Sequence, residues 1–96
     1  MKDTQPSSDS PDQLALSFGR RLAELRNATG IDGPKFAKKV GMSQAYLWKL
    51  ENGRAHPNLR TLARLAIGLG VPMSNLVDGL NYEGVALENR AYERDA

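Results

Sequence analysis

The most informative stretch of this 96-residue sequence is VGMSQAYLWKLENG, at positions 40–53. Gly41 can adopt the left-handed conformation that closes a helix, and Ser43 can cap a new helix only three residues after Val40. Two helices joined by so short a turn must cross at a steep angle. The stretch therefore predicts a helix, a tight turn and a second helix that ends at Gly53.

Apolar and polar side chains separate onto two sides of this second helix. Leu47 and Leu50 lie on one side at a helical spacing. The other side carries mainly Gln44, Ala45, Trp48 and Lys49. Because a surface helix buries its apolar stripe, we expect the leucines to face the core and the other four residues to face solvent or a partner.

Upstream of residue 40 the sequence predicts two further helices. The apolar residues of the first helix recur at spacings of three and four, as Leu14, Phe18, Leu22 and Leu25. Gly30 ends this helix, and Asp32 can cap the next one, which tolerates Pro34 in its first turn. The inward residues of that short helix are Phe36, Ala37 and Val40.

Downstream of residue 53 the sequence predicts a fourth helix and a short fifth one. Asn58 can cap the fourth helix, and Gly70 ends it. Its inward residues are expected to be Leu59, Leu62, Leu65, Ala66 and Leu69. The fifth helix follows Pro72 and covers about residues 73–77. No strand pattern is present, so the predicted fold class is all-α, with five helices in one compact domain.

Charge and composition divide the chain into a centre and two ends. Residues 1–12 are rich in Ser, Asp and Pro and predict a disordered, flexible tail, residues 13–80 predict the folded domain, and residues 81–96 predict an extension that is flexible or binds a partner. Residues 13–80 hold ten Lys or Arg and four Asp or Glu, a net charge of +6, whereas the two ends together carry −4. Such a centre suits a polyanion such as DNA, and a solvated Lys-rich surface explains the charge equally well.

Several function classes are disfavoured by composition. The chain has no cysteine, and its one histidine, His56, lies in a polar loop without a nearby acidic cluster. We therefore expect no enzyme activity, no metal and no cofactor. The sequence shows neither a signal peptide nor a membrane-spanning run, which predicts a cytoplasmic, nucleoid-associated protein without a membrane partner.

The pattern as a whole resembles the Cro/repressor-type, or Xre-like, helix-turn-helix family, whose fold is that of the lambda-repressor DNA-binding domain. The resemblance covers residues 18–76. Its marks are Phe18-Gly19, Leu22, Leu25-Arg26, Gly30-Ile31, Phe36-Ala37, Val40-Gly41, Ser43, Leu47, Leu50-Glu51, Gly53, Pro57, Leu62, Ala66 and Gly70-Val71. The resemblance implies that the third helix, here called the recognition helix, enters the major groove of double-stranded DNA.

The side chains on the recognition helix fit that implication. Residues in its first turns reach base edges. Gln44 can pair with adenine, Lys49 can donate to guanine, and the methyl group of Ala45 can contact thymine. These three residues are the predicted base contacts. Trp48 is expected to pack partly against the domain, with its indole N–H in reach of a phosphate.

Contacts to the DNA backbone are expected on both sides of the recognition helix. The predicted residues are Ser43, Tyr46, Asn52, Arg54, Asn58, Lys35 and Lys38. For the charged residues among them, Lys35, Lys38 and Arg54, the alternative is a solvated position without DNA contact, which applies to about half of such charges. Family members often carry a phosphate-binding Gln where this chain has Gly33, followed by Pro34. That side-chain contact is lost here, although the helix N-terminus still offers backbone N–H groups.

One internal feature also follows from the resemblance. Similar phage repressors place an ion pair between the first and third helices where this chain has Arg26 and Glu51. Such a pair fixes orientation more reliably than it adds stability. Two independent surface charges are the alternative.

These observations predict a sequence-specific transcriptional regulator, a repressor that binds a partly palindromic operator as a homodimer. One such domain presents only about 600 to 1,000 Å² to DNA, so pairing is the usual route to specific affinity. The predicted dimer surface comprises Met73, Asn75, Val77 and Leu80. The alternative is an antitoxin or adaptor, whose main partner is a protein bound through Trp48 and residues 81–96.

Overall fold

The computed structural model describes residues 12–87, which form five helices and no strand. The helices are α1 (Gln13–Thr29), α2 (Gly33–Lys39), α3 (Gln44–Glu51), α4 (Leu59–Leu69) and α5 (Ser74–Val77). This order confirms the predicted all-α class. The predicted tail falls outside the described residues except for Asp12, and residues 88–96 of the predicted extension fall outside them as well. None of the described helices is long and apolar enough to cross a membrane.

Side-chain caps fix where four of the described helices begin. The N–H groups of Ala15, Lys35, Tyr46 and Thr61 donate to the side chains of Asp12, Asp32, Ser43 and Asn58, at 2.7, 2.9, 3.0 and 2.8 Å respectively. Each bond satisfies one of the N–H groups that the first turn of a helix leaves without an intrahelical partner. The caps predicted at Asp32, Ser43 and Asn58 are confirmed. Asp12, which belongs to the segment predicted as a tail, caps α1.

The turn between α2 and α3 is as tight as the sequence predicts. Only residues 40–43 separate the two helices. Gly41 has a φ of +73°, a conformation that residues with a side chain rarely adopt. The N–H of Met42 then donates to the carbonyl oxygen of Ala37 at 3.0 Å, which closes the turn. The start of α3 is therefore held directly against the end of α2.

The hydrophobic core draws on every described helix. The five largest fully buried side chains come one from each helix, in order Leu22, Phe36, Leu50, Leu65 and Leu76. Leu59 was expected to face this core, and that expectation is wrong, because 73% of its surface is exposed. Leu59 is the first residue of α4. Leu59 continues the apolar spacing of α4, but it lies one turn before Leu62, outside the part of the helix that packs against the core.

The backbones of α1 and α3 approach each other closely at Gly19. A Cβ atom placed on Gly19 would lie 2.5 Å from the carbonyl oxygen of Glu51 and 2.7 Å from that of Leu50. Distances this short to backbone atoms exclude any side chain without a shift of one helix. The absence of a side chain at Gly19 therefore sets how closely α1 approaches the end of α3.

Two hydrogen bonds tie α1 to the end of the described chain. The Nε–H of Arg21 donates to the carbonyl oxygen of Asn75 at 2.6 Å, which links α1 to α5. The N–H of Asn81 donates to Oγ of Ser17 at 2.9 Å. The segment that follows α5 is thus anchored on α1 at Asn81.

Candidate nucleic-acid interface

α3 separates into a buried and an exposed face. Leu47 and Leu50 are buried in the core. The exposed face, which we call the recognition face, comprises Gln44, Ala45, Trp48 and Lys49. The division matches the one predicted from spacing. An exposed helical face of this kind, with amide, methyl and ammonium groups, matches the hydrogen-bonding and apolar groups of base edges in the major groove.

An ion pair fixes the end of α3. Nε and Nη2 of Arg26 donate to Oε2 and Oε1 of Glu51 at 2.7 and 3.0 Å, and Nη1 donates to the carbonyl oxygen of Ile31 at 3.0 Å. The two side chains are only 15% and 12% exposed. The hydrogen bonds with Glu51 raise the pKa of Arg26 above its ordinary value. The structure thus brings together the two residues expected to pair, and joins α3 to α1 and to the loop before α2.

The predicted base contacts lie together on the recognition face. Gln44 is the first residue of α3 and directly follows the capping residue Ser43. Ala45 comes next, and Lys49 lies in the last turn of the helix. All three side chains are exposed. Their roles as base contacts remain predictions.

Three of the predicted backbone contacts also organise helix ends. Ser43 and Asn58 use a side-chain oxygen to cap α3 and α4, and Nδ2 of Asn52 donates to the carbonyl oxygen of Trp48 at 2.9 Å. A hydroxyl that accepts can still donate, and a side-chain amide carries two N–H groups. Each residue therefore keeps at least one donor for a phosphate. Tyr46 differs, because its ring packs partly against the core.

The predicted cations flank α3 on two elements. Lys35 and Lys38 are exposed on α2. Arg54 is exposed in the loop after α3, and its N–H donates to the carbonyl oxygen of Lys49 at 2.8 Å. Positive charge thus lies both before and after the recognition helix. Their contacts with phosphate remain predictions.

A groove runs between the start of α2 and the recognition face, and we call it the α2–α3 groove. Its lining residues are Arg26, Gly33, Pro34, Gln44, Ala45, Leu47, Trp48 and Glu51. A Cβ atom on Gly33 would meet nothing within 4 Å, so the position that often holds Gln in the family opens onto empty space. Trp48 borders this groove and remains 58% exposed.

A second groove, which we call the apolar groove, has a volume of about 350 Å³. It is lined by Leu14, Phe18, His56, Pro57, Leu62, Val77, Leu80 and Tyr82. Val77 and Leu80 belong to the predicted dimer surface. Met73 and Asn75 do not line it: Met73 packs against the core, as Leu80 also does, and the Asn75 carbonyl accepts from Arg21.

One contact at this groove was not foreseen. Nε2 of His56 lies 2.9 Å from Oδ2 of Asp12, 44 residues away in sequence. The hydrogen bond from the N–H of Ala15 and, to a lesser degree, the interaction with His56 lower the pKa of Asp12 below its ordinary value. No cluster of three His, Asp or Glu side chains able to hold a metal ion occurs within residues 12–87. His56 thus links the loop after α3 to the start of α1.

Two capped helices joined by a four-residue turn, with an exposed face on the second, define a helix-turn-helix domain. The comparisons with known proteins agree. A family model described as a helix-turn-helix domain matches residues 17–78. The restriction-modification controller protein C.AhdI from Aeromonas hydrophila is 31% identical, with a TM-score of 0.63 over 65% of this chain and 94% of that one. The chain belongs to the Xre/Cro-like helix-turn-helix family of DNA-binding regulators.

Two curated relatives are longer than this chain. The HTH-type transcriptional regulator DdrOP3 of Deinococcus deserti is 38% identical over 69 residues, which cover 72% of this chain and 54% of the relative. A Tropheryma whipplei protein that bears the name of a cysteine–tRNA ligase is 34% identical over 85 residues, which cover 84% of this chain and 19% of that protein. The chain thus spans about half of the first relative and about a fifth of the second.

Proposed function

We propose that this chain is a sequence-specific transcriptional regulator that inserts α3 into the major groove of an operator. The observation that carries the proposal is the recognition face, whose four side chains are exposed while the opposite side of α3 is buried. Gln44 would read adenine, Lys49 guanine and Ala45 a thymine methyl group. Lys35, Lys38 and Arg54 would bind phosphates on either side, together with the donors of Ser43, Asn52 and Asn58.

We further propose that two copies bind a partly palindromic operator. One domain of this size offers too little surface for tight specific binding, and a two-fold dimer reads two half-sites about one helical turn apart. The apolar groove supports this proposal, because a second copy would cover its exposed edge at Val77. Leu59, exposed on the same side of α4 as the groove residue Leu62, adds to the apolar surface there.

Repression requires fewer interaction surfaces on the protein than activation does. A dimer that occupies an operator overlapping a promoter excludes polymerase by its bulk alone. Activation requires a further surface that contacts polymerase. In the proposed complex the recognition face would bind DNA and the apolar groove would bind the second copy, and repression requires no surface beyond these two. We therefore assign the chain to the repressors.

The test starts from selection of bound duplexes out of a random library with the purified full chain. Binding to the selected duplex and to a scrambled one is then measured at several salt concentrations. We expect the selected site to be partly palindromic and to be bound at least about a thousandfold more tightly than the scrambled duplex. The affinity for both duplexes should fall as salt rises, because phosphate contacts release counterions. Equal affinity for both would contradict sequence-specific recognition.

The apolar groove also supports a second candidate, an antitoxin or adaptor that covers it with a different protein. Sedimentation of the free chain at micromolar concentration separates the two. Reversible self-association supports the homodimer. A chain that stays monomeric both free and on the selected duplex points to the second candidate.

A further inference from the structure

The three residues assigned to base contacts leave the largest side chain of the recognition face without a role. Trp48 keeps 58% of its surface exposed. Its indole N–H makes no hydrogen bond within residues 12–87. Several large apolar side chains of the described residues are exposed, and Trp48 is the one among them that lies on the recognition face. Its place on the helix proposed to enter the major groove makes a group of the DNA the partner that would cover it.

The α2 side of the groove beside Trp48 is formed by Gly33 and Pro34, and the Arg26–Glu51 ion pair lines another part of the same groove. Gly33 contributes no side chain to the α2–α3 groove, and Pro34 carries no N–H that could bind a phosphate there. Ala45, three residues before Trp48, lies on the same side of α3 and lines the same groove. The methyl group of Ala45 and the indole of Trp48 thus form a continuous apolar strip along the recognition face.

Few groups on DNA match an apolar strip in the major groove. Base edges there present hydrogen-bond donors and acceptors, and the apolar exception is the C5-methyl group of a pyrimidine. Thymine carries this group in ordinary DNA, and 5-methylcytosine carries it in methylated DNA. Gln44, four residues before Trp48, is suited to the adenine of the same or the next base pair.

We propose that Trp48 is a specificity-determining residue that reads a pyrimidine C5-methyl group in the major groove, next to the adenine bound by Gln44. This inference rests on the proposed function. It extends that function by adding Trp48 to the three predicted base contacts of the recognition face and by naming the chemical group that Trp48 recognises. It predicts that selected operators contain an A·T pair whose thymine methyl group lies against the indole.

The test removes or adds one methyl group of the DNA at a time. Each thymine of the selected duplex is replaced by deoxyuridine, and in a parallel series each cytosine is replaced by 5-methylcytosine. For the wild-type chain we expect about a fourfold loss of affinity at one or two thymines, which is the value of one buried methyl-sized group. A gain at a methylated cytosine, lost in Trp48→Ala, would assign the same methyl chemistry to methylated DNA.

Trp48→Ala is the decisive variant. It should bind the selected duplex more weakly and lose the sensitivity to deoxyuridine at the thymine that lies against the indole, while it keeps the sensitivity at a thymine read by Ala45. Gln44→Ala should keep both. Ile67→Ala is the matched control, because Ile67 is an equally apolar residue of α4, 80% exposed and outside the α2–α3 groove. It should behave like the wild type in both series.

Trp48 is the only tryptophan of the chain, so its fluorescence gives a readout that needs no variant. Its emission in the complex should change when deoxyuridine replaces the contacted thymine and stay constant at other positions. If Trp48→Ala keeps the wild-type sensitivity at every thymine, this inference fails alone. If the wild type binds the selected duplex but ignores every methyl substitution, the thymine contact proposed for Ala45 fails as well, while sequence-specific binding stands. If the wild type prefers no duplex, the proposed function fails with it.

Discussion

The recognition face and the apolar groove are built in opposite ways. The recognition face combines the polar side chains of Gln44 and Lys49 with the apolar ones of Ala45 and Trp48. Its helix is held by a buried leucine side, a capped start and a paired glutamate at its end. The apolar groove is lined almost entirely by carbon, and its edge at Val77 and Tyr82 is open. The two share no lining residue.

The difference shows how each region would gain affinity. A polar surface binds through directed hydrogen bonds, so it must be held in position before the ligand arrives. An apolar surface gains from any well-fitting cover, because the hydrophobic effect has no direction. The fold holds the recognition face in a fixed orientation, whereas it leaves the edge of the apolar groove open to any well-fitting partner. Mutations should therefore affect DNA reading through orientation, and self-association through exposed area.

The largest effect is expected when the support of the recognition face is removed. Arg26→Ala leaves the carboxylate of Glu51 almost buried without its partner, which should lower the free energy of unfolding by about 3 kcal/mol. Denaturant unfolding measures this change. Arg20→Ala, an exposed arginine on the same helix, is the control and should change stability by less than about 0.5 kcal/mol.

A double-mutant cycle with Glu51→Ala tests whether the loss comes from the pair itself. We expect the two single losses to exceed the loss of the double variant by well over the error of the method, because the second substitution removes the stranded charge. Additive losses would mean that the two side chains act independently.

The next effect concerns reading by the recognition face. Gln44→Ala and Lys49→Ala should each cost about 1 to 3 kcal/mol on the selected duplex and relax the preference at the base pair that each residue faces. Binding isotherms on the selected and the scrambled duplex measure both quantities. Unchanged affinity and preference in both variants would mean that α3 is not the reading helix.

Arg54→Ala provides the contrast to those two variants. Since phosphate contacts carry no sequence information, the variant should weaken binding to selected and scrambled duplexes alike. The slope of log affinity against log salt should become shallower by about one unit. A loss confined to the selected duplex would instead place Arg54 at a base edge.

A smaller effect is expected at the apolar groove. Val77→Asp places a charge on its open edge and should weaken self-association by about tenfold or more, since an unpaired carboxylate resists burial. Sedimentation at several concentrations measures the shift. Ile67→Asp, on an exposed position outside the groove, should leave association unchanged. Equal loss in both variants would remove the groove from the dimer surface.

The smallest effect is a pH dependence at Asp12. Its pKa is lowered in the folded protein, so its charge adds stability above its ordinary value of 3.8, and that contribution is lost as the pH falls through the folded value. Because the side chain is exposed, the contribution should stay under about 1 kcal/mol. Asp12→Asn, which keeps a capping oxygen, should unfold more easily than the wild type near neutral pH and match it in acid. A constant difference would contradict this assignment.

Sequence predicts local features of this fold well and long-range contacts poorly. The caps at Asp32, Ser43 and Asn58 could be predicted because a cap needs only its own side chain and the next turn. Leu59 was misplaced because spacing along a helix does not tell where the core ends. The contact between Asp12 and His56 could not be predicted, because the two residues are 44 positions apart and only the packing of the whole domain places them side by side.

The site shows the same limit. The spacing of α3 gave the residues of its exposed face, because a single helix decides which side chains share a face. It did not give the α2–α3 groove, which exists because α2 places Gly33 and Pro34 beside Trp48. The pairing of Arg26 with Glu51 came from the resemblance to known repressors rather than from any pattern in this sequence.

The missing side chain at Gly19 acquires a geometric meaning in a dimer. The backbone of α1 touches the end of α3 there, so a side chain at this position would require one of the two helices to shift. In the proposed two-fold dimer a shift of α3 would occur in both copies and would displace both recognition helices from half-sites spaced by one turn of DNA. Gly19 would thus set the spacing between the two recognition helices from a position that lines neither the α2–α3 groove nor the apolar groove.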